Sequence, residues 1–226
     1  MRYPVGPALE KALRLTALNK RLKGDSSETV RDLFVRYSDS LVGLRNFPDI
    51  EVLILAGCDP VSFDEFSNLS LLASLRVHDS GLSGITGVEN FSDLDFLSIQ
   101  RNTVQDLRPL LGNRIARIEI EGNPLSEHSY YEVIPKLVEQ GSEVSYSGER
   151  EWRITLRMQS AGIPLVCYSS EDLYYLCCPG FSMTKTPDYD HPEVRVGEVE
   201  EILDRDPRDL IRLFEKRGGT GIPPES

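Results

Sequence analysis

Residues 85–104 read ITGVENFSDLDFLSIQRNTV, and this stretch decides the fold of the chain. Its apolar residues first recur every third residue, then every second residue at Leu97 and Ile99, before the polar residue Asn102. A step of two residues is the period of a β-strand. The stretch is therefore predicted to hold one short strand, entered by a loop with buried apolar residues and left by a turn at Asn102.

The same phrase recurs along the chain, with an apolar pair two residues apart and a small polar residue five places after its first member. A weaker copy, with Leu33, Val35 and Ser38, precedes the four clear ones. A unit of one strand and one return loop cannot bury its own apolar face, so neighbouring units must stack. The clear copies begin at Leu53, Leu75, Leu97 and Ile118, which stand 22, 22 and 21 residues apart, and their polar residues are Cys58, Ser80, Asn102 and Asn123.

This pattern resembles the 22-residue class of leucine-rich repeats, of the bacterial type seen in internalins and also in phosphatase-regulatory repeat proteins. The resemblance implies an α/β fold, a leucine-rich-repeat solenoid whose parallel sheet lines a concave face. It also implies that the polar residue after each strand bonds the backbone of the next turn. Cys58 and Ser80 are expected to bond less completely there than Asn102 and Asn123, and Cys58 is interpreted as such a residue rather than a reactive thiol.

The chain divides into four predicted parts. Residues 1–27 hold an amphipathic cap helix, and residues 28–147 hold the repeats with a closing helix and strand. Residues 148–217 are predicted to form a small α+β appendage, which either packs on the last repeat or extends the solenoid sheet. Residues 218–226, rich in glycine and proline, are predicted to be a disordered tail.

Within the appendage, period two predicts a strand over the apolar residues from Trp152 to Met158. Two more strands are predicted at 165–168 and 173–178, and two helices at 198–204 and 207–216. The alternating residues of the first strand are Trp152, Ile154, Leu156 and Met158.

The composition of the chain indicates which classes of partner and which compartment to expect. The formal net charge of −11 argues against capture of a phosphate backbone, so no nucleic acid is expected and a basic protein partner is favoured. No apolar run is long enough for a membrane span or follows Arg2 as a leader would, so neither a membrane nor a signal peptide is expected. Four cysteines in such a chain favour the reducing cytoplasm.

The sequence offers two candidate chemical sites, a cysteine nucleophile and a zinc site, and each of their residues also has an ordinary structural interpretation. A nucleophile made of Cys178, His191 and Asp188 would need the thiol to be activated, whereas a cysteine in an apolar strand is usually a buried small hydrophobe. A zinc site lacks the usual paired cysteine spacing. No phosphate loop or hydrolase motif is present, so we expect neither catalysis nor a cofactor. The candidate zinc ligands are Cys167, Cys177, Cys178 and His191.

The candidate binding surface is the concave face. Residues between the buried positions of each strand project there, and they include exposed aromatic and arginine side chains that often dominate protein interfaces. We therefore predict a non-catalytic protein-binding module, either an immunity or antitoxin protein or an adaptor or regulatory subunit of an enzyme. The alternative is that the appendage does the binding. The predicted contact residues are Phe34, Arg36, Ile54, Arg76, His78, Phe96, Ser98, Gln100, Arg117, Glu119 and Glu121.

Overall fold

The computed structural model describes residues 5–24, 27, 29–59, 61–180 and 191–218. The helices are α1 (Pro7–Leu22), α2 (Ile134–Glu139), α3 (Glu149–Ser160), α4 (Val196–Arg205) and α5 (Asp209–Lys216). The strands are β1 (Asp32–Arg36), β2 (Val52–Ala56), β3 (Ser74–His78), β4 (Phe96–Ser98), β5 (Arg117–Glu119), β6 (Glu143–Ser145), β7 (Val166–Ser170), β8 (Leu173–Cys177) and β9 (Glu193–Val194).

Strands β1 to β6 form one parallel sheet in chain order. Their register aligns the first apolar residue of every repeat, so these side chains form one row, which is buried except at its partly buried last member. The sheet confirms the predicted repeat architecture, including the weaker first unit at β1. The aligned row is Leu33, Leu53, Leu75, Leu97, Ile118 and Val144.

The return loops pack apolar residues behind this sheet as short 3₁₀ turns. Phe66 and Phe91 of neighbouring loops stack with ring centroids 5.8 Å apart, and Phe63 meets Phe91 edge-on at 5.8 Å. All three are buried in the same core as the strand leucines. Helix α1 closes the first repeat by burying Leu9 and Ala12 in that core, which confirms the predicted cap helix.

The strand predicted over Trp152 to Met158 is wrong, because these residues lie in helix α3. Trp152 and Leu156 pack against the solenoid core, whereas Ile154 and Met158 belong to the core of the C-terminal segment. At about 100° per residue, the first pair lies on one side of the helix and the second pair on the other. A helix buried on two opposite sides thus shows an apolar residue at every second position, which mimics a strand.

The C-terminal segment does not extend the solenoid sheet. Strands β7, β8 and β9 form a separate antiparallel sheet. One face of it packs on α3, α4 and α5 through Cys167, Leu176 and Val194. The strands predicted at 165–168 and 173–178 correspond to β7 and β8, and the two predicted helices correspond to α4 and α5. Residues 219–226 of the predicted tail lie outside the described residues.

Across the described residues, the structure holds no helix of the length and apolarity needed to span a bilayer.

Candidate functional site

The concave face has the side-chain columns that the repeat spacing predicts. The register places Phe34, Ile54, Arg76, Ser98 and Glu119 in one column, and Asp32, Val52, Ser74, Phe96 and Arg117 in the next. A third column begins with Arg36, Ala56 and His78. The face is therefore continuous from β1 to β5, with side chains of different repeats adjacent to one another.

Arginine side chains lie over phenylalanine rings at two places on this face. The guanidinium carbon of Arg36 is 4.3 Å from the ring centroid of Phe34, and that of Arg76 is 4.8 Å from Phe96. The guanidinium carbon of Arg117 also lies 5.8 Å from the ring centroid of Phe96. Phe34 remains 40% exposed. Such pairs hold rigid apolar area and directed donors together, which suits a protein contact.

The charge of the face changes along the solenoid. Arg36 and Arg76 project from the N-terminal half, whereas Glu119 and Glu121 project from the C-terminal end. Glu119 pairs with Arg117 at 2.9 Å, and Glu121 accepts a hydrogen bond of 2.8 Å from Gln100. A partner complementary to the whole face must therefore carry charges of both signs.

A groove of about 300 Å³ opens at the N-terminal end of the face. Its lining includes Phe34 and Ile54 from the sheet, Lys20 from α1 and Lys23 directly after α1. The cap helix thus contributes to the concave surface as well as closing the core.

One of the predicted contact residues, Ser98, lies beneath the concave surface and is not exposed on it. Ser98 is fully buried, and its hydroxyl lies 2.7 Å from Nε2 of His78. Ser98 therefore positions His78 and does not itself offer a contact surface in this structure.

The predicted cysteine nucleophile lacks the required environment. Sγ of Cys178 donates to the carbonyl of Pro164 at 3.2 Å, and burial raises the pKa of this thiol to about 12. A nucleophilic cysteine needs the opposite shift, toward a stable thiolate. Asp188, the third predicted member, lies outside the described residues.

A second site, which we call the junction cluster, joins the solenoid to the C-terminal segment. It consists of Asp79, Arg101, Tyr168, Cys177 and His191. Arg101 donates to both carboxylate oxygens of Asp79, from Nε at 2.6 Å and from Nη2 at 2.9 Å. The guanidinium carbon of Arg101 also lies 5.0 Å from the ring centroid of Tyr168.

The carboxylate of Asp79 meets the C-terminal segment at two further atoms. Sγ of Cys177 is 3.4 Å and Nε2 of His191 is 3.6 Å from Oδ1 of Asp79. Nδ1 of His191 lies 2.8 Å from the hydroxyl of Tyr168. Burial alone would raise the pKa of Asp79, but the hydrogen bonds and charge of Arg101 hold that pKa below its ordinary range. The cluster is thus built around a buried carboxylate that stays ionised.

The repeat backbone explains how two charged residues reach this position. Asp79 and Arg101 have φ values of 49° and 54°, and the equivalent residues of the flanking repeats are Gly57 and Gly122, with φ values of 61° and 69°. A side chain at Gly122 would crowd this position, since a Cβ there would lie 3.0 Å from Cγ of Arg101. Tyr37 of the first repeat holds the same position with a φ of 53°, so the column is not reserved for glycine. The sequence therefore carries no clear signal for Asp79 and Arg101, and neither was predicted as a site residue.

The predicted zinc ligands are only partly brought together. Cys177 and His191 meet in the junction cluster, whereas Cys167 and Cys178 lie in the core of the C-terminal segment. Asp79 takes part instead, from a repeat 98 residues away along the chain.

Comparison with known proteins finds structural similarity without a sequence match. No protein-family model matches the chain, and no curated protein matches its sequence. Among solved structures, internalin C2 from Listeria monocytogenes is similar with a TM-score of 0.45 and 16% identity, over 70% of this chain and 80% of that one. The assignment of the repeat fold rests on the strand order and register of the chain itself.

Proposed function

We propose that the chain is a non-catalytic protein-binding module that acts through the concave face of its solenoid. The observation that supports this most is the pair of arginine–phenylalanine contacts, Arg36 on Phe34 and Arg76 on Phe96. Exposed aromatic and arginine side chains supply much of the binding energy in protein interfaces. These four residues come from three strands, so a single partner surface spanning β1 to β4 would contact all of them.

The charges of the face refine the expected partner. Net charge alone favours a basic partner, but Arg36, Arg76 and the lysines of the groove favour acidic groups over the N-terminal half. Glu119 and Glu121 favour basic groups at the other end. We infer a partner surface with apolar residues in the middle and opposite charges at its two ends, because such complementarity also fixes the orientation of docking.

Two roles fit such a module, and both remain proposals. An immunity or antitoxin role predicts that the partner is a toxin whose activity the chain blocks. An adaptor or regulatory role predicts a cellular enzyme as the partner. Four buried free thiols support action in a reducing compartment such as the cytoplasm. The raised pKa of each of these thiols supports a role without cysteine catalysis.

The test is capture of the partner by a tagged chain and by two matched double variants. Arg76→Glu with Phe96→Ala changes the concave face. Arg114→Glu with Leu71→Ala removes the same kinds of groups from exposed positions in the loops that lead into β5 and β3.

We expect one stoichiometric partner that binds the wild type and the loop variant equally well. It should bind the face variant at least tenfold more weakly, which is a loss of about 1.4 kcal/mol or more of binding free energy. If the face variant still bound the partner, the C-terminal segment would be the binding surface instead. The identity of the captured protein then decides between a toxin and a cellular enzyme.

A further inference from the structure

The junction cluster brings together three side chains whose atoms are common metal ligands. Asp79 follows β3, Cys177 ends β8 and His191 precedes β9. Oδ1 of Asp79, Sγ of Cys177 and Nε2 of His191 all lie within 4.8 Å of one another. Asp79 and Cys177 are fully buried, and the side chain of His191 is 6% exposed.

The distances fit the edges of a small coordination tetrahedron. Zinc binds sulfur at about 2.3 Å and nitrogen or oxygen at about 2.0–2.2 Å, so neighbouring ligand atoms of a tetrahedral site are about 3.3–3.6 Å apart. The observed separations are 3.4 Å from oxygen to sulfur and 3.6 Å from oxygen to nitrogen. A zinc ion therefore needs little rearrangement of these two pairs.

We propose that Asp79, Cys177 and His191 bind a zinc ion that joins the C-terminal segment to the solenoid. Thiolate, imidazole and carboxylate are all zinc ligands, whereas magnesium and calcium bind oxygen and do not select sulfur. The site differs from the candidate ligand set considered in the sequence, because a carboxylate from a repeat turn replaces Cys167 and Cys178. It is independent of what the concave face binds.

The surroundings orient two of the three ligands. The hydroxyl of Tyr168 at Nδ1 of His191 turns Nε2 toward Asp79, and a hydrogen-bonded second ring nitrogen is usual for a metal-binding histidine. Arg101 fixes the Asp79 carboxylate from one side. A carboxylate offers about four lone pairs, so Oδ1 can accept from Arg101 and still bind an ion on the side of Cys177 and His191.

The charges of the bound site can be followed simply. Binding releases the Cys177 proton to solvent, and the resulting thiolate together with the Asp79 carboxylate offsets both charges of the ion. Arg101 then contributes one positive charge beside the site. Its repulsion limits the affinity, and its hydrogen bonds to Asp79 hold the carboxylate in place.

Cobalt substitution tests this site on the full-length chain. Cobalt(II) occupies zinc sites, and a cysteine ligand produces a thiolate-to-cobalt charge-transfer absorption. We expect about one cobalt per chain with this absorption, displaced by added zinc. Cys177→Ser should abolish the absorption, whereas Cys178→Ser, which alters the adjacent buried thiol, should retain it.

A second variant and a second measurement guard against a folding defect. His191→Gln removes a different ligand and should lower the cobalt stoichiometry while keeping the circular dichroism spectrum of the wild type. Zinc should raise the melting temperature of the wild type and of Cys178→Ser, because an ion that binds only the folded chain stabilises it.

The absence of both the absorption and the zinc-dependent melting shift in the wild type would overturn the proposal. So would their retention in Cys177→Ser or His191→Gln, or loss of the absorption in Cys178→Ser.

Discussion

At the scale of single residues, the polar side chain after each strand differs from repeat to repeat in how many backbone groups it hydrogen-bonds. The Nδ2 group of Asn102 donates to the carbonyls of Val77, Ile99 and Gln100 at 2.7–3.0 Å, and its Oδ1 accepts from the amide of Ser80 at 3.1 Å. Sγ of the equivalent Cys58 lies 3.7 and 3.8 Å from two carbonyl oxygens, which are longer contacts than those of the asparagine amide. This agrees with the prediction that Cys58 bonds less completely.

We predict that Asn102→Ala lowers the free energy of unfolding by about 3 kcal/mol, because several buried backbone groups lose their partner at once. Ser80→Ala, at the equivalent position one repeat earlier, should cost about 1 kcal/mol, since Ser80 bonds only the carbonyl of His78 and the amide of Cys58. Urea denaturation measures both. Equal losses would show that the turn does not depend on the asparagine amide.

Glu151 provides a prediction about pH. Its side chain is 5% exposed and accepts from the amide of Gly148 at 2.5 Å, at the start of α3. Burial raises the pKa of Glu151, so the folded state binds its proton more tightly than the unfolded state does. Stability from this group is therefore present at low pH and is lost as pH rises through the carboxyl range.

We expect Glu151→Gln, which keeps the acceptor oxygen without the charge, to raise the melting temperature near pH 7. The gain should vanish below about pH 4, where both side chains are neutral. Differential scanning calorimetry at the two pH values measures this. A variant less stable than the wild type near neutral pH would mean that the charge strengthens the bond to Gly148 more than burial opposes it.

The strand residues of the repeats could be predicted from the sequence, because each buried leucine and each polar turn residue recurs in register. The junction cluster could not, because Cys177 and His191 lie far along the chain from Asp79 and follow no repeat. Asp79 and Arg101 share their position with Gly57, Gly122 and also Tyr37, so the residue types at this position do not distinguish the cluster in the sequence.

At the scale of elements, α3 shows the limit of periodicity as a guide. Its two apolar sides contact two different cores, and the sequence does not reveal that one helix packs against both. By contrast, α1 was predicted correctly, because only one of its sides is buried and the other is rich in lysine and arginine.

Helix α1 also offers a matched pair of leucines. Leu9 is fully buried against the first repeat, whereas Leu18 is 53% exposed. We predict that Leu9→Ala costs about 2–5 kcal/mol of unfolding free energy, as buried leucine truncations do. Leu18→Ala should cost less than about 0.5 kcal/mol. Thermal unfolding of both variants checks this, and similar losses would mean that α1 packs differently from the structure described above.

At the scale of the whole molecule, the salt bridge between Asp79 and Arg101 lies within the repeats, at their contact with the C-terminal segment. Asp79 contacts Cys177 and His191 of that segment there. Arg101→Ala leaves the buried carboxylate of Asp79 without its main partner, which typically costs about 3–5 kcal/mol. The single tryptophan, Trp152, lies in α3 between the two cores, so its fluorescence during urea unfolding reports on this junction.

Arg150→Ala is the control for Arg101→Ala. It removes an ion pair with Glu200 that also links α3 to α4 but lies at the surface, where such pairs contribute little. We expect a clear shift of the unfolding midpoint for Arg101→Ala and almost none for Arg150→Ala. Equal shifts would indicate that the junction depends on apolar packing and not on the buried charge pair.

The parallel sheet of the solenoid has two edge strands, β1 and β6, and they are protected in different ways. An unpaired strand edge offers backbone donors and acceptors to any other chain and can template fibrillar growth. Helix α1 packs on β1 at one end, while β6 at the other end has three residues and carries Glu143. Two copies therefore have no long, flat, apolar edges to add to one another, and the architecture that repeats within the chain is kept from continuing between chains.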